Sequence, residues 1–409
     1  MRRKLQFSGA LAVLALVAAT AAAGGSSRPS TDPGITKNSI LLGGTFPLSG
    51  PASAYGVIPR AEAAYFNWFN AHSKINGRKI KWKYYDDGYD PSQTVPQTRR
   101  LVEQDHVFAI FNSLGTADNL AVRPYLNQRH VPQTLLATGA VFWGQQYKKY
   151  PWTIGWNPDY IGEGRYYAQY IKSHIKGFKI GVLAQNDEYG DNYLKGLRLG
   201  LGKQKSKIIV VERYDVTDAT VAAQMAKLRA SGANVFVDFA TPKASIQALI
   251  IKAKLAWQAA VVVNSVSSSP SYMRLVRSAA GAGAVDGAIS DGYPKDTTDP
   301  TQAKDPGVKL FKSIMAKYYP SGDIKDTNNM YAMSAAWTVI YALKHSGKTP
   351  TRKSFMRALT HMNTSKDPFL LKGIVVKTTP TDHYPIQTVV GIRWQGDYWH
   401  RTGKVFRWR

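Results

Sequence analysis

The 409-residue chain contains no cysteine. That excludes disulfides, thiolate metal sites, a cysteine nucleophile and a lipid-modified cysteine behind a leader. Acid is scarce too, with 27 Asp plus Glu against 53 Lys plus Arg and a formal net charge of +26. The apolar run 11–19 falls far short of the roughly 20 residues that span a bilayer, and no later run is longer. The eight histidines show no His-x-x-x-His spacing, and no Gly-x-Ser-x-Gly elbow occurs. The run GLRLGLGK, 196–203, lacks the spacing of a phosphate loop and has no Ser or Thr after Lys203, so its glycines are read as ending a helix. No catalytic residue, metal ligand or cofactor is expected.

What is present starts with Arg2, Arg3 and Lys4, then the apolar run, then Ala21-Ala22-Ala23, the three regions of a cleaved secretory signal over residues 1–23. The mature protein is therefore expected to be soluble, without a lipid anchor, and outside the cytoplasm, most simply in a periplasm. The basic residues are scattered (Lys79, Lys81, Lys83; Lys203, Lys205, Lys207; Arg393, Arg401, Arg407) and often alternate with apolar ones, as on exposed strand faces. Nucleic acid is not the expected partner. Adaptation to an acidic periplasm, or attraction to an anionic membrane surface or ligand, accounts for the excess as well.

Apolar β-branched runs alternate with helical patterns, as parallel-sheet α/β domains require. Strands are expected at 40–44, 80–85, 107–112, 133–137, 179–184, 208–214, 235–239, 260–264 and 287–290, with helices between them. Longer helical stretches follow at 306–319, 329–345 and 351–359. The end differs: 373–377, 388–394 and 398–402 alternate, and Gln395-Gly396-Asp397 joins the last two as an antiparallel hairpin. Trp394, Tyr398, Trp399 and Trp408 are read as sheet packing rather than a membrane contact. A chain this long suits two lobes.

The most informative segment is 40–56, ILLGGTFPLSGPASAYG, a strand running into a small-residue loop. Pro59 and the helical spacing of Ala61, Ala64, Tyr65, Trp68 and Phe69 place a helix directly after it. Such a unit offers N–H groups and hydroxyls at a helix start. The segment 179–192, KIGVLAQNDEYGDN, echoes the same plan. Two such edges facing each other would enclose a cleft beyond the carboxyl ends of the strands. Asp86, Asp87, Asp90 and Pro91 are read as turn and capping residues.

TFPLSGPASAYG, YYDDGYDPSQTV, SLGTADNLAVRPYL, PQTLLATGA and QNDEYGDNYLKGL occur in the order and spacing of one family. Over nearly all of the mature chain, the sequence resembles the extracytoplasmic solute-binding proteins of branched-chain amino acid ABC importers. The resemblance implies an α/β type I periplasmic binding fold: two doubly wound lobes joined by three crossover segments, with a ligand cleft between them. The crossings are expected near 156–159, 284–290 and 368–373. Lobe 1 would comprise 36–157 plus 288–369, and lobe 2 would comprise 158–287 plus 370–409.

By the same resemblance, the ligand is a small amino acid or a related carboxylate or amide, and the partner an inner-membrane ABC permease. The protein would act as a monomer that is not an enzyme and closes its cleft on the solute. A ligand sensor of the same fold, feeding a regulatory or signalling partner, is the alternative. Matching ligand positions on lobe 1 are Tyr55, Ser113, Gly115, Thr116, Thr138, Gly139 and Ala140, and on lobe 2 Tyr189, Thr241, Asn264 and Ser265. Two departures stand out. Ala240-Thr241 replaces a tyrosine pair, and Asn264-Ser265-Val266-Ser267 lacks the glutamate that receives a ligand ammonium. A simple α-amino acid then requires Asp187, Asp238 or Asp291 as substitute.

Overall fold

The computed structural model describes residues 32–408, so the expected leader 1–23 lies outside the described residues. Five parallel strands, β1 (Ser39–Phe46), β2 (Lys79–Asp86), β3 (Ala109–Phe111), β4 (Gln133–Leu136) and β5 (Thr153–Gly155), form a first sheet in the order β2-β1-β3-β4-β5. Between them run α1 (Ile58–His72), α2 (Pro91–Arg99), α3 (Thr116–Gln128) and the short α4 (Phe142–Gln145). The glycine pair in β1 has a packing reason. A Cβ on Gly44 would stand 2.7 Å from the Phe111 carbonyl oxygen of β3, so only glycine lets the two strands and the Trp82 ring approach.

The chain then builds α5 (Tyr160–His174), β6 (Ile180–Gln185), α6 (Glu188–Leu201), β7 (Ile208–Tyr214), α7 (Ala222–Ala230), β8 (Val235–Phe239), α8 (Pro242–Lys254), β9 (Ala260–Val263), α9 (Pro270–Ala280) and β10 (Ile289–Gly292). It returns with α10 (Pro306–Tyr318), α11 (Thr327–Lys344) and α12 (Arg352–Leu359), then a two-stranded ribbon of β11 (Asn363–Thr364) and β12 (Val376–Lys377). The hairpin β13 (Thr388–Gln395) and β14 (Tyr398–Arg407) ends the described chain. The second sheet has the order β14-β13-β10-β9-β8-β6-β7, parallel from β10 to β7, with the hairpin joined antiparallel to β10.

The two sheets, with the helices packed on each, make two lobes. Helices α1, α10, α11 and α12 bury one continuous core with the first sheet, including Phe66, Phe111, Phe311, Met333 and Phe355. The chain leaves this lobe after Gly155, comes back after Gly292, and crosses again between Ile386 and Thr388. The first lies where the sequence reading puts it, near 156–159, whereas the second and third lie beyond the expected 284–290 and 368–373. β10 is hydrogen-bonded within the second sheet, and Leu370, Leu371, Ile374, Val376 and Ile386 lie in the first core. At the junction the Leu371 N–H donates to Tyr293 O (2.8 Å) and the Lys295 N–H to Phe369 O (2.8 Å), tying the outgoing and returning segments together.

Local departures have local causes. Helix α2 is α-helical only to Arg99 and continues as a π turn over Arg100–Gln104. Gly196 and Gly200 do not end a helix but lie inside α6. A Cβ on Gly196 would stand 2.5 Å from Ile161 O, and one on Gly200 2.9 Å from Arg165 Cα, so these glycines let α5 and α6 pack backbone to backbone. Gly202, with φ +57, is the residue that stops α6. In the hairpin, Trp394 and Trp399 are buried edge to face with centroids 5.3 Å apart, while Tyr398 is half-buried. The Trp408 indole donates to Asp159 Oδ2 at 2.6 Å. The aromatic hairpin packs inward.

Candidate functional site

The carboxyl ends of β1, β3 and β4 face those of β6, β8 and β9 across a cleft of about 1010 Å³, counting its part open to solvent. Each contributes through the loop that follows it. After β1 a 3-10 turn, Ser53–Val57, carries Tyr55. After β3 comes Gly115, whose φ of +105 turns the chain so that Thr116 opens α3. After β4, Thr138 meets it, and the hydroxyls of Thr116 and Thr138 lie 2.7 Å apart. From the second lobe come Tyr189 in the first turn of α6, Thr241 at the residue just before α8, and Ser265 after β9. All seven line the cleft.

The other four positions singled out by sequence build the loops instead of lining the cavity. The Ser113 hydroxyl accepts the Thr45 N–H at 3.0 Å. Gly139 gives room, since a Cβ there would stand 2.2 Å from Pro158 O, and the Ala140 N–H donates to Thr138 Oγ1 at 3.2 Å. Asn264 donates to the carbonyls of Asp238 and Ala240, both at 2.9 Å, and so ties the ends of β8 and β9. Asp86 accepts N–H groups from Leu48, Ser49 and Gly88, and Asp90 caps α2 through Ser92 N. These acids are turn and cap residues.

Sequence reasoning missed several lining residues. Tyr89 sits at φ +62 in the turn after β2, Tyr160 opens α5, Tyr293 follows β10 and Tyr331 lies on α11. A tyrosine inside the turn YYDDGYDP was a usable signal, because bulky residues rarely adopt positive φ without being held there. The others come from crossings and a helix face whose place in the cleft depends on long-range topology. Tyrosine hydroxyls are largely engaged within the protein: Tyr189 donates to Ala240 O and Tyr55 to Val266 O, each at 3.1 Å, and Tyr331 pairs with Asn112. Burial holds these phenols well above their ordinary titration range, so they are neutral.

Charge in the cleft runs opposite to that of the molecule. Among the described residues its lining holds Asp291, Asp296 and Asp299 against Arg401, and no lysine. Of the three acids weighed as substitutes for the missing glutamate, Asp187 caps α6 through Gly190 N and Asp238 accepts from Ser245 Oγ behind β8. Only Asp291 lines the cavity. Its Oδ1 accepts from the Tyr167 hydroxyl, and its Oδ2 is buried near the carboxyl of Glu163 on α5. Glu163 in turn accepts from the Ser265 hydroxyl at 2.6 Å and from the Tyr193 hydroxyl. Burial pushes both carboxyls upward, and the neighbouring Asp291 charge raises Glu163 further. No group of three or more His, Asp or Glu residues is arranged to hold a metal among the described residues.

Hydrogen bonds cross the cleft at its rims. Ser269 Oγ donates to Asp326 Oδ1 at 2.9 Å, Asn328 Nδ2 donates to the Tyr272 hydroxyl at 2.8 Å, and the Val141 N–H donates to Asn192 Oδ1 at 2.9 Å. With Tyr55 to Val266, they hold the lobes together.

The same architecture is found in known proteins. A branched-chain amino acid ABC transporter protein from Thermus thermophilus, solved with bound valine, superposes with a TM-score of 0.80 at 17% identity, covering 91% of this chain and 97% of that one. The Leu/Ile/Val-binding protein homolog 1 of Brucella suis is 26% identical over 312 residues, 75% of this chain and 79% of its own length. The Leu/Ile/Val-binding protein of Escherichia coli K12 is 24% identical over 184 residues, 44% of this chain, and the match spans about half (49%) of that relative's length. The family model described as periplasmic binding protein matches residues 39–398. Two α/β lobes facing each other across a cleft, and a family match over most of its length, show that this chain belongs to the periplasmic binding protein family.

Proposed function

We propose that the protein is the solute-binding component of an ABC importer. It would work outside the cytoplasm, capture a small polar compound between its lobes and present the closed form to a membrane permease. The observation behind this reading is the cleft itself: both lobes supply its walls, and hydrogen bonds cross it at its rims. The moving bodies in this reading are 32–156 with 293–387, and 157–292 with 388–408, turning about the three crossings. The polar end of the solute meets Gly115, Thr116 and Thr138 on the first lobe, where hydroxyls and the start of α3 converge. Tyr189, Thr241 and Ser265 then close over it.

A ligand promotes closure only to the extent that it binds the closed form better than the open one. The test is a thermal-shift screen of the purified protein against amino acids, aliphatic and aromatic carboxylates, amides and polyols, followed by small-angle scattering with each compound that stabilises it. A hit that also compacts the protein supports capture by closure. Stabilisation without compaction would refute that mechanism.

A further inference from the structure

In the second lobe strands β6 to β9 all run toward the cleft, so the helices between them run away from it and their C-termini gather at the opposite pole. Helix α6 gives the distance: it starts beside the cleft at Tyr189 and ends at Leu201, about 18 Å further on at 1.5 Å per residue. At that pole lie the segments leading back into the sheet, 172–179 before β6, 198–207 before β7, 226–234 before β8 and 251–259 before β9. Together they hold eleven lysines and arginines and no aspartate or glutamate. All but Lys252 are exposed, and of these cations only Lys227 forms an ion pair among the described residues, with Glu212. The surface is one piece: Lys172 Nζ donates to Gly200 O at 2.9 Å, the Lys179 N–H to Asn234 Oδ1 at 2.7 Å and the Ala260 N–H to Asn234 O at 3.0 Å. At the same pole of the first lobe acids are interspersed, with Glu103 pairing with Arg99 and Arg129, and Asp105 with Lys83.

Cations at helix C-termini complement the helix dipole, which accounts for residues such as Arg198 and Lys254. It does not account for Lys203, Lys205 and Lys207, which stand past the end of α6 in the 3-10 turn Gly202–Lys207. Nor does it account for the apolar side chains set among them. Leu199, Ile209 and Leu255 are 50%, 42% and 36% exposed, half of the large apolar side chains that stand exposed among the described residues. Leu199 lines a surface hollow of about 730 Å³, counting its part open to solvent, together with Lys195, Arg198 and Lys205. Asp191, the acid on its wall, is paired with Arg213 at 2.5 Å. Cations alone suit any polyanion, whereas exposed leucines among cations suit a surface that is anionic outside and apolar beneath.

We propose that this pole docks on an anionic phospholipid bilayer, with Lys203, Lys205 and Lys207 at the headgroup phosphates and Leu199 entering the headgroup boundary. The chain has no cysteine to carry a lipid, so charge holds the protein at the membrane, and reversibly. The cleft stands a helix length away from the contact and stays open to solvent.

The test is co-sedimentation of the purified protein with phosphatidylcholine vesicles, with and without phosphatidylglycerol, at rising ionic strength. Binding is expected only where phosphatidylglycerol is present, and it should weaken as salt screens the charges. A cation brought to an anionic surface strengthens partitioning roughly fivefold, so the triple variant Lys203→Glu, Lys205→Glu, Lys207→Glu should lose at least about 100-fold. A control triple on the first lobe, Lys74→Glu, Lys148→Glu, Lys348→Glu, removes the same charge from exposed positions and should lose less than about tenfold, since distant charges are screened. Leu199→Ser should lose roughly fivefold at every salt concentration, because burial of apolar surface is not screened. An environment-sensitive dye on Gln204→Cys should shift to the blue on anionic vesicles, and one on Lys148→Cys should not. All of these side chains are exposed, so each variant should melt with the wild type. Absence of binding to anionic vesicles, equal losses in the two triple variants, or binding to soluble polyphosphate that matches the vesicles and ignores Leu199→Ser would each overturn the inference, and each would leave the solute-binding reading standing.

Discussion

Removing one hydroxyl, in Ser269→Ala, tests whether the rim hydrogen bonds hold the closed form. Ser269 is buried at the start of α9, donates to Asp326 Oδ1 at 2.9 Å and accepts from the Thr327 N–H at 3.3 Å, both partners belonging to the other lobe. A hydrogen bond to a charged group contributes about 1.5–3 kcal/mol net and a neutral one about 0.5–1.5. In an open form water satisfies all three groups, so the loss falls on the closed form alone. With the second bond long, about 2 kcal/mol is a fair total, which shifts the closure equilibrium roughly 30-fold toward open. Because the chain has no cysteine, one introduced at exposed Lys79 and one at exposed Lys205 place a dye on each lobe without competition. Energy transfer between the dyes should fall in the ligand-free variant, and the affinity for any compound that binds the wild type should weaken by a similar factor. An unchanged dye distance together with affinity within twofold of wild type would refute the reasoning.

Acidity should stabilise this protein. Burial raises Asp326 from the usual 3.8 to about 6 and Asp118, Asp238 and Asp367 to about 7, so between about pH 4 and 7 the folded state binds more protons than the unfolded one. Stability then falls as pH rises through that window, and the melting temperature is expected to be higher at pH 5 than at pH 8; the opposite order would contradict the buried-acid picture. Glu62 is fully buried on α1 and neither carboxyl oxygen has a hydrogen-bond partner, so Glu62→Leu should raise the free energy of unfolding in urea by about 1–3 kcal/mol. Gly196→Ala, which would improve an exposed helix, should here destabilise by about 1–3 kcal/mol, because the new methyl meets backbone atoms of α5 at 2.5–2.9 Å. Gly283→Ala, where a Cβ meets nothing within 4 Å, is its neutral control in the same denaturation series.

The local rules read the strand–turn–helix units well. The segment 40–56 folds as β1 and the Tyr55 turn before α1, its echo at 179–192 folds as β6 and α6, and the final hairpin forms as its turn residues indicate. In each, the fold of a dozen residues is decided within those residues. Which lobe a segment joins is not. β10 reads as a short apolar run, and its place beside β9 and β13 depends on partners about 30 and 100 residues away. Glycines inside α6 look like stops until α5 lies against them. Among candidate site residues, all in or beside the loops after strands, Gly115, Thr138 and Ser265 reach the cleft, whereas Ser113, Gly139, Ala140 and Asn264 of the same loops spend their groups on the loops themselves. Asp291 is named from the sequence, but its nearness to Glu163 escapes it because the two are 128 positions apart, and nothing in either local stretch marks them as neighbours.

The way the second sheet is sewn together sets an order of events during synthesis. β10 has its antiparallel partner only in β13, and Trp399 and Arg401 of β14 form part of the cleft wall. A ribosome that has not yet reached residue 401 therefore carries a chain that lacks part of its ligand wall and leaves one margin of its largest sheet unpaired. Completion of the cleft therefore waits for β13 and β14, and a chain stopped before residue 401 lacks the wall they supply.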